Sequence, residues 1–269
     1  EYLDVTNVAY DDISLMATEP RAAVVRAWNE YLSWGGLPES VSLSVKRGYI
    51  SSTFQKIYLG DICSRNKIAN PILLQLLLKK LAESVCQPVS YNRLSHVLSS
   101  VYGKITMPTV SKYIEYCEQS WLLLRLRNVS APFAEKETAC KYYFIDNGVL
   151  NLFLIEGESL LLENAVALAL FRRYGHDAAN ERVFFYNDRV EVDFYVPEDE
   201  LAIQVSYRMS LSSDTFDREV SALRKLPNVI PCSRRIVLTN DETGELEDEF
   251  GKIEIIPAWK WLIAQGNPS

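Results

Sequence analysis

Three short segments in the last part of the chain constrain its fold most. Leu161-Leu162-Glu163-Asn164 has a helical pattern; Glu191-Val192-Asp193-Phe194 and Ile203-Gln204-Val205-Ser206 have strand patterns. Each brings a polar or acidic group out of an apolar element. Side chains alternate along a strand, so Glu191 and Asp193 share one face, as do Gln204, Ser206 and Arg208. If the two strands are neighbours, Asp193 approaches Gln204 and Ser206, and a helix packed there adds Glu163. A carboxylate in a strand core is costly unless paired; Arg172, Arg189 and Arg208 are candidate partners for Asp193.

The remaining pattern sets the surroundings. Ser159–Tyr174 is helical, three strands follow to Ser206, Leu211–Leu226 is helical, and Arg235–Thr239 and Ile253–Ile256 are strands. This αβββαβ order predicts a mixed sheet flanked by helices. The acidic tract Asp241–Glu249 reads as a solvated loop. Upstream, Arg21–Trp34 has helical spacing and stops at Gly35-Gly36-Leu37-Pro38. A long helix is expected from about Val45 to Ser64. Three helices then follow: one opened by Pro71, one capped by Ser90, one opened by Thr106 with Pro108 behind it. Two strand-like runs, Leu122–Arg127 and Lys141–Ile145, flank a polar loop, and Asp146-Asn147-Gly148 reads as a turn. Three helices and a two-stranded wing are the winged-helix plan, in which the third helix enters the major groove. Thr109, Lys112 and Tyr116 on that helix, and Lys136 and Lys141 beside the wing, are the nucleic-acid candidates.

Charge divides the 269 residues unevenly. The net charge is -7, yet residues 46–141 hold fourteen Lys/Arg against six Asp/Glu, while residues 150–269 hold twelve against twenty-one. The basic segment suits a polyanion; the acidic one repels it and suits a protein partner. The five cysteines form no C-x-x-C pair, which fits reduced thiols rather than a disulfide framework or zinc site. His96 and His176 lie far apart, which argues against a histidine metal centre or a Ser-His-Asp triad. No apolar run reaches membrane-span length, so no membrane contact and a cytoplasmic location are expected. The first residue is Glu1, not methionine, and a preceding segment is expected.

Taken in order, Tyr31–Glu39, Tyr58–Ile62, Thr109–Ile114, Lys141–Gly148, Leu161–Asn164 and Glu191–Phe194 resemble the C-terminal half of a large prokaryotic family of AAA-type P-loop ATPases. The resemblance runs from about residue 20 onward. It implies a helical linker and ATPase remnant over residues 1–65, a winged helix over 66–148, and a PD-(D/E)XK nuclease-like domain over 149–269. Glu163, Asp193 and Gln204-Val205-Ser206 are similar to the Glu, Asp and Glu-x-Lys of that nuclease superfamily. An active version would hold Mg²⁺ through carboxylate oxygens, with a lysine activating water. Here Gln204 lacks one negative charge and Ser206 cannot replace an ammonium. Residues that act as a unit fail as a unit, so no catalytic residue, metal or cofactor is expected. No G-x-x-x-x-G-K-[ST] occurs, so ATP hydrolysis is not expected.

The expected function is therefore non-catalytic recognition of nucleic acid or of a partner, with any energy supplied by a separate N-terminal ATPase module. Two other readings stand beside it. One is an active Mg²⁺-dependent endonuclease using Glu163, Glu191 and Asp193. The other is a protein-interaction module that does not bind DNA.

Overall fold

The computed structural model describes residues 2–8, 18–175, 181–208 and 214–266. The fold mixes helices with β-sheet and divides into two units. The first comprises Glu1–Arg125 and Thr138–Gly157; the second comprises Leu126–Glu137 and Glu158–Ser269. The chain thus enters the second unit, returns to the first, and leaves it again.

In the first unit, α1 (Tyr2–Val5) precedes α2 (Thr18–Trp34), α3 (Pro38–Val41) and α4 (Lys46–Gln55). The long helix expected to run on to Ser64 instead changes winding. Lys56–Ser64 is a π-helix of nine residues, burying Tyr58, Ile62 and Cys63 and exposing Leu59. π-winding normally spans a single turn and is frequent at functional sites, so nine residues is an unusual length.

Helices α5 (Pro71–Ala82), α6 (Tyr91–Tyr102) and α7 (Met107–Gln119) follow. Their starts are set by side-chain caps. Asn70, Ser90 and Thr106 accept from the backbone amides of Leu73, Arg93 and Thr109, satisfying donors the first turn leaves unpaired. Leu74, Leu77, Leu78, Leu94, Leu98, Val110 and Ile114 form the shared interior. Strand β1 (Val89–Ser90) pairs antiparallel with β3 (Ala139–Phe144). The expected turn at Asp146-Asn147-Gly148 is the start of a helix, α9 (Asn147–Asn151), with Asp146 as its N-cap.

β2 (Leu123–Asn128) carries the chain from the first unit into the second. The expected polar loop after it contains a short helix, α8 (Phe133–Thr138). The second unit continues with α10 (Glu158–Tyr174), β4 (Phe184–Asn187), β5 (Glu191–Val196), β6 (Leu201–Ser206), α11 (Asp214–Lys225), β7 (Arg234–Thr239), β8 (Gly244–Asp248), β9 (Gly251–Pro257) and α12 (Ala258–Gly266). Its strands lie in the order β2-β4-β5-β6-β7-β9-β8. The β4–β5, β5–β6 and β8–β9 pairs are antiparallel; β2–β4, β6–β7 and β7–β9 are parallel.

Val220 and Leu223 of α11 pack with Tyr195, Ala202, Val237, Ile253 and Ile255 in one core cluster. Ile203, Ile236 and Leu238 alternate with these along their strands and are fully buried on the opposite face. The acidic tract read as a loop supplies β8, which is mostly exposed and closes the sheet as an edge strand. Its register is held by Lys252 Nζ on Glu245 Oε1 at 2.8 Å and by a buried arginine. Arg235, 1% exposed, donates from both terminal nitrogens to the Asp248 carboxylate at 2.7 Å and to the Gly251 carbonyl at 3.0 Å.

Candidate functional site

β5 spends three steps, from Val192 to Tyr195, where β4 spends two, from Tyr186 to Phe184. The additional residue falls at Asp193–Phe194. Val192 and Tyr195 consequently join the same core cluster, which uninterrupted alternation would forbid. Bulges of this kind re-aim a side chain, and here the side chain is Asp193. Its Oδ2 accepts from Val205 N at 3.0 Å, and Gln204 Oε1 accepts from Asp193 N at 3.3 Å. Each side chain therefore binds the backbone of the opposing strand beyond the last paired residues, Phe194 and Ile203.

Asp193, Gln204 and Ser206 are all buried, and Ser206 Oγ donates to the Arg208 carbonyl at 3.3 Å. Glu163 and Asn164 are buried in α10, which packs on β6. Nearly every residue from Leu161 to Phe171 is buried, so α10 is enclosed on all sides. Glu191 is exposed at the start of β5 and does not share the burial of Asp193. Arg172, Arg189 and Arg208, the expected cationic partners, are exposed, and the Asp193 carboxylate accepts from the Val205 amide. Among the described residues, no group of three His, Cys, Asp or Glu side chains is placed to hold a metal ion. His176 lies outside the described residues. Burial holds the Cys117 thiol far above its ordinary range and pushes Cys232 up to about 11, so both are neutral thiols near pH 7.

On α7, Lys112 is exposed with its ammonium 5.8 Å from the Tyr116 ring centre, and Thr109 Oγ1 meets Thr106 Oγ1 at 2.9 Å. Thr109 and Tyr116 are half-buried. Lys136 is half-buried on α8. Lys141 requires a correction: it is fully buried in β3 and cannot reach a phosphate. The basic residues of β2 are also committed. Arg125 Nε donates to Glu118 at 2.7 Å, and Arg127 pairs with Glu137 at 2.8 Å and with Glu181.

A second constellation joins two segments that the sequence alone marks only as a helix stop and a turn. The carboxylate of Asp146 accepts from Gly36 N and Gly148 N, each at 2.8 Å, and from Val149 N at 3.3 Å. Asn147 and Asn151 donate to the Leu32 and Ser33 carbonyls at 2.8 Å, satisfying the open end of α2. Gly35 has φ +75°, and a Cβ there would overlap the Asp146 carboxylate. A Cβ on Gly148 would overlap the Trp34 carbonyl. The two Gly-containing motifs are halves of one joint, a hundred and more residues apart in sequence.

Such a chain is a mixed α/β protein with a cap-locked helical unit and a polar cluster on a bulged strand. Residues 25–159 match the family described as "Domain of unknown function (DUF8612)", and the chain belongs to that family. The matched span covers most of the first unit, including both halves of the Asp146 joint. Two relatives are similar over most of this chain. The "Uncharacterized protein MJ1544" of Methanocaldococcus jannaschii is 28% identical over 263 residues, 92% of this chain and 58% of its own length. An "Uncharacterized protein" of Haemophilus influenzae is 25% identical over 247 residues, 89% of this chain and 58% of its own length. The chain thus spans little more than half of either relative. No solved structure matches it. Among the described residues, no helix is long and apolar enough to cross a membrane.

Proposed function

We propose that this chain recognises nucleic acid through a winged helix made by α5–α7 and the strands after them. In this reading the second unit is a PD-(D/E)XK nuclease-like domain that has lost catalysis. The observation that carries the first part is the distribution of cations. The β2 arginines are ion-paired and Lys141 is buried, whereas Arg93, Lys104 and Lys112 on and beside α6 and α7 are exposed and in no ion pair among the described residues. Positive charge is thus open to a phosphate backbone on the recognition helix itself, within a unit where Arg47, Lys56, Lys67 and Lys79 are exposed as well. Lys112→Glu is expected to weaken duplex binding about tenfold at low salt and to flatten the salt dependence; Arg234→Glu, in the acidic unit, should do neither. Fluorescence anisotropy across a salt series measures both. Binding indifferent to Lys112→Glu and to salt would remove the nucleic-acid reading.

The loss of catalysis is supported by Asp193 and Gln204, whose oxygens are engaged with opposing backbone amides, and by Ser206 in place of a lysine. Neither plasmid nor branched DNA should be cleaved with Mg²⁺ or Mn²⁺. Cleavage abolished by Asp193→Ala would instead establish a metal-dependent endonuclease that needs Asp193. The fitting partner is an AAA-type ATPase module, for which the longer relatives have room.

One feature favours a protein partner as a second reading. Ile72, Val101 and Met107 are exposed near the start of α5 and the α6–α7 turn, where Asn70 and Tyr102 bond. Loss of self-association or of partner binding on Met107→Lys, with Lys112→Glu silent, would select it.

A further inference from the structure

α7 ends in a backbone motif that specifies its own residue. Leu122 N bonds the Cys117 carbonyl at 2.9 Å and Trp121 N bonds the Glu118 carbonyl at 3.0 Å. These are the two bonds of a Schellman cap, and the buried side chains of Leu122 and Cys117 stand at its usual apolar positions. Trp121 occupies the left-handed position with φ 54°, where glycine is the ordinary choice. A bulky residue there is strained. The indole is only partly packed, since Trp121 is 60% exposed. Local conformation favours glycine, and most of the ring takes no part in the packing of the fold, so a large aromatic face is left open to solvent.

We infer that Trp121 is a stacking platform for an unpaired nucleobase, an inference that rests on the nucleic-acid reading of α7. The carbonyl end of a helix carries partial negative charge, and Glu115 stands exposed near it while Glu118 is neutralised by Arg125, so a phosphate is not favoured there. A neutral aromatic face is, and base–aromatic stacking is tolerant of sequence. Bases within an intact duplex are already stacked, so the base must be unpaired, at an overhang or a junction. Lys104 and Lys112, earlier along the same segment, hold the backbone of the adjoining duplex.

The test uses the full chain with two probes, a blunt duplex and the same duplex bearing a single-stranded overhang. Wild type should prefer the overhang probe. Trp121→Gly should lose about tenfold on that probe and nothing on the blunt one, and Trp121→Phe should retain most of the preference. Trp121→Gly should also raise the melting temperature by about 2–4 °C, because it relieves the left-handed strain. A lower melting temperature would make the indole structural and overturn the inference. So would unchanged overhang affinity, or a dimer that Trp121→Gly dissolves. If Lys112→Glu abolishes duplex binding while Trp121→Gly changes neither probe, the recognition helix stands and the platform falls. If no probe binds at all, both fall together.

Discussion

Asp146→Ala is expected to lower the stability of the first unit by about 4–5 kcal/mol, since hydrogen bonds to a charged group contribute at least about 1.5 kcal/mol each and three amides lose theirs. Gly148→Val should be at least as damaging, because the added carbons meet the Trp34 backbone carbonyl, which ends α2 and cannot swing aside. Against a typical stability of about 5–15 kcal/mol, either change leaves the unit near its threshold. The control is Gly60→Ala: no atom lies within 4 Å of a Cβ there, so it should be neutral or slightly stabilising. Urea unfolding measures all three by the shift in midpoint. An Asp146→Ala midpoint equal to wild type would mean that the joint is incidental to the fold.

Arg235→Ala should cost the second unit about 3–5 kcal/mol, because it strands the Asp248 carboxylate and leaves a large void beneath β8. Replacing both partners, as Arg235→Met with Asp248→Leu, should recover most of that loss; only an unpaired charge is expensive. The pair also sets an acid limit. Hydrogen bonds from Arg235 hold the Asp248 carboxyl below its ordinary value. A carboxylate whose folded value is depressed contributes stability that is fully present above the unfolded value, near pH 4, and is lost as pH falls through the folded one. Thermal unfolding between pH 5 and about 2 should therefore be steeper for wild type than for Asp248→Asn. Parallel curves would disconnect the pair from acid unfolding.

The parts legible in the sequence were those whose cause is local. Ser90 and Thr106, with Pro71 and Pro108, mark helix starts by chemistry that acts within three residues. β4 to β7 followed from apolar runs and alternation. What escaped depended on distant partners. The acidic β8 looked like solvated loop because Arg235 and Lys252 are elsewhere in the chain. Asp146 looked like a turn residue because Gly36 lies 110 positions away. Lys141 looked like a surface cation because nothing local says that β3 is buried on both sides. At the polar cluster, alternation brings Asp193 toward Gln204 once the two strands are paired, but says nothing of the bulge that aims them.

The passage of residues 126–137 through the second unit has a practical meaning for anyone dividing this protein. Arg127 and Asn128 pair with Phe184 and Phe185 of β4, and the Asn128 side chain bonds the backbone of Asn187. A fragment cut near Gly157 keeps a strand whose neighbour has gone, and the complementary fragment lacks that strand altogether. No single cut yields two complete halves. The pair must be expressed, shuffled and inherited as one piece, and recombination within it should be tolerated only where both passages of the chain travel together.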